Sequence, residues 1–80
     1  MYTNRIDELR KANGWTWKQL NDRVFGSKTV YSHMWEVSRG EKFPRPEAVV
    51  RFEVAFGKPW GEIWDRWYSE ERAKIEELMS

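Results

Sequence analysis

The stretch "NGWTWKQLNDRVFGS", residues 13–27, carries the local signals that decide the fold. Gly14 is well placed to be the left-handed residue that follows the end of a helix. Thr16, with Gln19 three residues later, is typical of a capping box, in which each side chain satisfies a backbone N–H of the other residue. Gly26 then closes this second segment with a turn. The pattern therefore predicts two short consecutive helices and a turn that leads into a third.

The rest of the chain predicts an all-α domain of five helices. Apolar residues recur at helical spacing in each segment, and no segment alternates with period two, so no sheet is expected. The remaining stop signals are Gly40 and Gly57. The five helices are expected to begin after Asn4, at Thr16, at Lys28 or Val30, at Pro46 and at Pro59.

Two parts of the domain are expected from this pattern. Residues 1–58 form a core of four helices that contains the helix-turn-helix. Residues 59–80 form one long helix, whose first half docks on the first and fourth helices and whose second half projects. The apolar stripe expected on this helix is Trp60, Ile63, Trp64 and Trp67. The i,i+4 ion pairs expected on its exposed sides are Glu62–Arg66 and Glu70–Lys74.

Composition excludes several classes of site. The 80 residues include no cysteine and a single histidine, so neither a disulfide nor a thiolate metal site is available, and no metal or cofactor is expected. The first residues are charged and no apolar run is long enough for a membrane span, which predicts a cytoplasmic protein with no membrane partner. No pattern of acidic residues with a histidine or a glycine-rich loop indicates catalysis, and no small-molecule ligand is indicated.

Charge is unevenly distributed along the chain. Residues 1–58 carry eleven basic and seven acidic side chains, a net charge of +4, whereas residues 59–80 carry three basic and six acidic ones, a net charge of −3. A mildly basic body suits a polyanionic ligand. Ordinary solvated surfaces explain the asymmetry almost as well.

The segment "LRKANGWTWKQL", residues 9–20, resembles the Cro/cI-like (XRE-type) helix-turn-helix regulators. Residues 46–64, "PEAVVRFEVAFGKPWGEIW", are similar to the fourth and fifth helices of that family, so the resemblance covers about residues 5–65. It implies a compact lambda-repressor-like bundle. The chain departs from the family at Asn21, usually an alanine, and at Ser38, usually a glutamate that pairs with the arginine matching Arg10. About three extra residues precede Gly40, and either the turn or the third helix is longer.

The resemblance implies that the start of the second helix meets a DNA phosphate and that the third helix meets base edges. Tyr31 could equally belong to the core, and His33 could be an ordinary surface residue. The tryptophans are interpreted mainly as core residues, with Trp17 and Trp35 the least certain. The candidate base-reading residues are Lys28, Thr29, Tyr31, Ser32, His33 and Glu36, and the candidate phosphate contacts are Thr16, Lys18, Gln19, Arg39, Lys42 and Arg45.

Two functions remain open from the sequence. The first is a sequence-specific regulator that binds double-stranded DNA as a homodimer, and the resemblance implies one of the Cro or prophage-repressor kind. The second is a protein-interaction module on the same scaffold, such as a phage host-modulating protein or a toxin–antitoxin component. In either case the expected dimer or partner surface of the last helix is Trp67, Ile75, Leu78 and Met79.

Overall fold

The computed structural model describes residues 1–26 and 31–80, and within those ranges it contains α-helices and no strand. The expected all-α class is therefore confirmed for the described residues. Lys28, Thr29 and Val30 lie outside them, as does the side chain of Tyr31, so the start of the third helix stays a prediction. The helices are α1 (Ile6–Ala12), α2 (Trp17–Val24), α3 (Tyr31–Ser38), α4 (Pro46–Phe56), α5 (Trp60–Ile63) and α6 (Asp65–Met79).

Side-chain hydrogen bonds lie at the starts of α1 and α2. The N-cap residue of α1 is Arg5 and not Asn4, and Asn4, one residue earlier, accepts the N–H of Ile6 through Oδ1 at 3.0 Å. Thr16 Oγ1 accepts the N–H of Gln19 at 3.1 Å, and Gln19 Oε1 accepts the N–H of Thr16 at 2.8 Å, which completes the capping box of α2. Each bond satisfies a backbone donor that has no partner inside its helix. These three side chains explain why α1 and α2 begin where they do.

The helices from α1 through α5 share one hydrophobic core, and α6 contributes no buried residue to it. Trp64 is its largest fully buried side chain, and its ring meets Phe52 edge to face at 5.5 Å. Trp15 and Trp60 are only partly buried against this core. In a chain this small, such aromatic side chains supply much of the apolar area removed from water. The buried residues are Ile6, Leu9, Leu20, Val24, Met34, Val37, Phe52, Phe56, Ile63 and Trp64.

The single long helix expected from Pro59 onward is wrong. The backbone leaves helical geometry at Trp64, with φ −108° and ψ 43°, and this residue separates the short α5 from α6. The carbonyl of Ile63 accepts the N–H of Arg5 at 2.7 Å, so it bonds to the N-terminal segment. The ion pairs of this segment also differ from the expected ones. Arg66 pairs with Glu70 at 3.3 Å, and Lys74 pairs with Glu71 at 3.4 Å.

The N-terminal segment ties the end of α3 to α5 and α6. The N–H of Tyr2 donates to the carbonyl of Gly40 at 2.9 Å, and the Tyr2 ring lies 5.3 Å from the ring of Trp67. Gly40 has φ +78°, and a Cβ there would lie 2.9 Å from the carbonyl oxygen of Tyr2. Both the backbone conformation and the close approach therefore require glycine at this position. Across the described ranges, no helix combines the length and the apolar character needed to cross a bilayer.

Candidate nucleic-acid interface

The helix α3 has one buried face and one polar exposed face. Met34 and Val37 are each 1% exposed and face the core. Ser32 and His33 are exposed, and Glu36 is intermediate. Of the candidate base-reading residues whose side chains are described, Ser32 and His33 are therefore open to a ligand. The helical period separates Ser32 from both core residues, whereas His33 lies four residues before Val37 and therefore on the same side of the helix as Val37.

His33 lies close to the loop that precedes α4. Its ring meets Phe25 edge to face at 4.9 Å. His33 and Arg45 line the same groove, which has a volume of about 220 Å³. The structure thus brings a candidate base-reading residue and a candidate phosphate contact to one surface. The other residues that line this groove are Val24, Phe25, Glu47, Ala48 and Arg51.

Two further candidates, Glu36 and Lys42, form an ion pair with each other. Lys42 Nζ lies 3.3 Å from Glu36 Oε2, and Arg39 Nη2 lies 3.0 Å from Glu41 Oε2. Both basic side chains are 63% exposed, so these pairs contribute little to stability. A phosphate group can therefore replace either carboxylate at a small cost. The pairing of Glu36 with Lys42 reduces the charge that Glu36 can present to a base.

The N-terminal residues of α2 keep donors that can meet an anion. The oxygens of Thr16 and Gln19 accept the capping bonds, so the threonine hydroxyl hydrogen and the Gln19 amide hydrogens remain available as donors. Lys18 pairs with Asp22 at 3.1 Å, and its side chain is 71% exposed. The cap and a phosphate contact are thus compatible at the same two residues.

A pair of tryptophans joins this end of α2 to α3. The rings of Trp17 and Trp35 have centroids 5.0 Å apart, and Trp35 is 40% exposed. An aromatic pair of this geometry stabilises the fold by about 0.5–1.5 kcal/mol in addition to the stabilisation from its buried apolar area. Sequence reasoning left the roles of these two residues open, because neither alone distinguishes core from surface. Together they bring the candidate phosphate contacts of α2 beside the exposed face of α3.

Arg10 has partners of its own in place of the glutamate that the resemblance implies. Its Nη2 donates to Asp7 Oδ1 at 2.8 Å and its Nη1 to the carbonyl of Trp15 at 2.7 Å. The guanidinium carbon also lies 4.5 Å from the ring centroid of Trp17, a cation–π distance. The hydrogen bond from Arg10, supported by Lys11, holds the pKa of Asp7 below its ordinary value. Arg10 thereby supports the start of α2.

The expected partner surface of the last helix is divided by the structure. Trp67 is partly buried, and its ring lies 5.1 Å from that of Phe43, so it belongs to the packing of the domain itself. Ile75, Leu78 and Met79 are exposed by 51%, 84% and 82%. Only these three of the four residues are therefore available to a partner. The sequence pattern placed Trp67 with them because it cannot show the contact with Phe43.

Comparison with known proteins adds no relative to this description. No protein-family model matches the chain, and no curated protein or solved structure matches it. Among the described residues, no group of three or more histidine or acidic side chains could hold a metal ion.

Proposed function

We propose that this protein is a sequence-specific regulator of the Cro or prophage-repressor kind, which binds double-stranded DNA. In this proposal α2 and α3 form the helix-turn-helix of a lambda-repressor-like bundle, and α3 enters the major groove. The observation that supports it is the polar face of α3, with Ser32 and His33 exposed, held beside the capped start of α2 by Trp17 and Trp35. A reading helix needs such a neighbour to brace against the DNA backbone.

Basic side chains next to α3 supply the contacts to phosphate. Arg39, Lys42 and Arg45 lie within seven residues of one another, directly after the helix that reads the bases. All three are exposed. When the protein binds, phosphates take the place of Glu41 and Glu36 as their partners, and counterions are released from the DNA. These contacts position the protein, whereas α3 provides the sequence preference.

Two copies of the protein bind together in this proposal. A two-fold dimer presents two α3 helices about 34–36 Å apart, which matches successive major grooves on one side of the duplex. Specific sites are then palindromic, and the exposed apolar end of α6 provides contact area outside the DNA surface. Such a regulator acts in the cytoplasm and needs no cofactor.

Selection from a pool of random duplexes tests the proposal directly. We expect the protein to enrich a palindromic sequence, and we expect its affinity for that sequence to fall steeply as salt rises. Ser32→Ala should weaken specific binding by about 1–3 kcal/mol if the hydroxyl contacts a base edge. Ser69→Ala is the matched control, because Ser69 is an exposed serine on α6. Failure to enrich any sequence, or equal affinity of the two variants, contradicts the assignment.

A protein-interaction module is the second candidate function. It is favoured by the exposed apolar residues Ile75, Leu78 and Met79, which DNA binding by α3 does not use. In that case the chain enriches no DNA sequence, while substitution of Leu78 by aspartate abolishes binding to a protein partner. The selection experiment therefore separates the two functions.

A further inference from the structure

Two apolar surfaces of this protein are exposed at a distance from α3. The first, called here the α4 face, consists of Val50 and Val54, which are 54% and 78% exposed. The second, called here the α6 end, comprises residues 75–80 and exposes Ile75, Leu78 and Met79. Isolated apolar residues are normal on a protein surface, but clustered ones often mark an interaction site.

The α4 face is an apolar stripe bordered by two arginines. Val50 and Val54 are four residues apart, so they lie one above the other on the same side of the helix. They line a groove of about 370 Å³ together with Arg23, Arg51 and Ala55. The guanidinium carbon of Arg23 lies 4.5 Å from the ring centroid of Trp15.

Arg51 is also held in a defined position beside the groove. Its Nη2 lies 2.9 Å from Glu47 Oε1, and its Nη1 donates to the carbonyl of Val24 at 3.5 Å. The stacking of Arg23 and these contacts of Arg51 orient both side chains while leaving them on the surface. The groove therefore combines an apolar floor with the positive charge of Arg23 at its border, since the charge of Arg51 is paired with that of Glu47.

The α6 end has the complementary character. Ile75, Leu78 and Met79 follow the i, i+3, i+4 spacing of one helical face. The charged side chains of this segment are Glu76 and Glu77, and residues 75–80 include no basic one. Glu76 Oε1 lies 2.9 Å from Arg72 Nε, so Glu77 is the acidic side chain that we assign to the contact. An apolar helix end with acidic neighbours thus exists in the same chain as an apolar groove with basic neighbours.

We propose that the α6 end of one copy docks on the α4 face of a second copy, and that the exchange is reciprocal. Leu78 and Met79 then cover Val50 and Val54, while an acidic side chain approaches Arg23. A two-fold arrangement satisfies both surfaces at once and closes the assembly at a dimer. Pairing of one α6 end with another is less favourable, because it sets two acidic segments against each other.

The absence of cysteine from the chain permits a clean crosslinking test. Copies that carry Val54→Cys are mixed with copies that carry Leu78→Cys under mild oxidation and without DNA. Both side chains are at least 78% exposed, so neither substitution disturbs the core. We expect a mixed disulfide dimer in clear excess over the product of Glu41→Cys with Leu78→Cys, since Glu41 is an exposed residue in the loop before α4.

Charge reversal provides a second and independent measurement. We expect Arg23→Glu to raise the dissociation constant of the dimer by about three- to tenfold in sedimentation at low salt. The double variant Arg23→Glu with Glu77→Arg should recover most of that loss. The matched control Arg66→Glu, on α6 but outside both surfaces, should leave the dissociation constant unchanged.

Three results would overturn the inference. The first is a chain that sediments as a monomer at tens of micromolar. The second is a Leu78→Cys variant that crosslinks mainly to itself, which indicates that α6 ends pair with each other. The third is a double charge variant that remains as weak as Arg23→Glu. None of these measurements includes DNA, so the proposed DNA binding can stand or fall separately.

Discussion

The side-chain amide of Asn4 donates a hydrogen bond to the main-chain carbonyl of Val37 at 3.1 Å. It donates to the carbonyl of Ser38 as well, at 3.2 Å, while its oxygen accepts the N–H of Ile6 at the start of α1. Carbonyls in the last turn of a helix have no partner within that helix. One side chain therefore satisfies groups at the start of α1 and at the end of α3, and it holds the proposed reading helix relative to the first.

We expect Asn4→Ala to lower the free energy of unfolding by about 2 kcal/mol, because it removes the hydrogen bond to the N–H of Ile6 and two hydrogen bonds to carbonyls. Asn4→Asp is the informative companion. Aspartate can still accept the N–H of Ile6, but it presents a carboxylate to the carbonyls of Val37 and Ser38. Urea unfolding should show Asn4→Asp to be at least as destabilised as the alanine variant. A fully stable aspartate variant means that only the bond to Ile6 contributes.

Two glycines with similar backbone angles make a matched pair. Gly40 and Gly14 have φ of +78° and +70°, but a Cβ at Gly14 meets no atom within 4 Å. Gly14→Ala should therefore lower the free energy of unfolding by about 1 kcal/mol, which is the strain of an alanine in the left-handed conformation. Gly40→Ala adds a clash with the carbonyl oxygen of Tyr2, and we expect about twice that loss or more. Equal unfolding temperatures of the two variants would show that a Cβ at position 40 does not clash with the carbonyl oxygen of Tyr2.

The lowered pKa of Asp7 makes a small part of the stability depend on pH. Its stabilising contribution is fully present above the pKa of the unfolded chain and is lost as pH falls through the lower pKa of the folded state. The stability difference between the native chain and Asp7→Asn should therefore shrink on acidification from about pH 5 to pH 2. Asp7 is half exposed, so solvent screening keeps the effect modest. A difference that stays constant with pH contradicts this assignment.

Replacement of Arg45 tests the proposed phosphate contacts. Arg45→Ala should weaken binding equally for specific and unrelated DNA, and it should reduce the slope of log affinity against log salt by about one unit. Arg66→Ala is the control, since this arginine is on α6 and is 77% exposed. Binding titrations at several salt concentrations measure both slopes. If the two variants behave alike, Arg45 does not contact phosphate.

The helix limits that depend on local chemistry were predictable from the sequence. Thr16 with Gln19, Pro46 and Gly57 act within one turn of their own position, and each appears where the pattern predicts it. The division of the last helix at Trp64 was not predictable in this way. Helical spacing alone favours a continuous stripe there, whereas the break depends on Arg5, a residue far away in sequence.

The candidate site was predictable only in part, for the same reason. Helical periodicity separates exposed Ser32 from buried Met34 and Val37, but it places His33 on the same side as Val37 and does not indicate that His33 is exposed. It cannot indicate that Glu36 pairs with Lys42, because that contact depends on the path of the loop after α3. Nor can it indicate the contact of Trp17 with Trp35 or that of Trp67 with Phe43, because each joins residues that are far apart in sequence.

The long-range bonds of residues 2–5 also have a consequence for synthesis. These residues are made before their partners at Val37, Gly40 and Ile63. Until Ile63 has emerged, the N–H of Arg5 lacks its native acceptor and the N-terminal segment can close only part of its contacts. Chains halted before α5 should therefore remain open to proteases, and native structure should arise abruptly once α5 has left the exit tunnel.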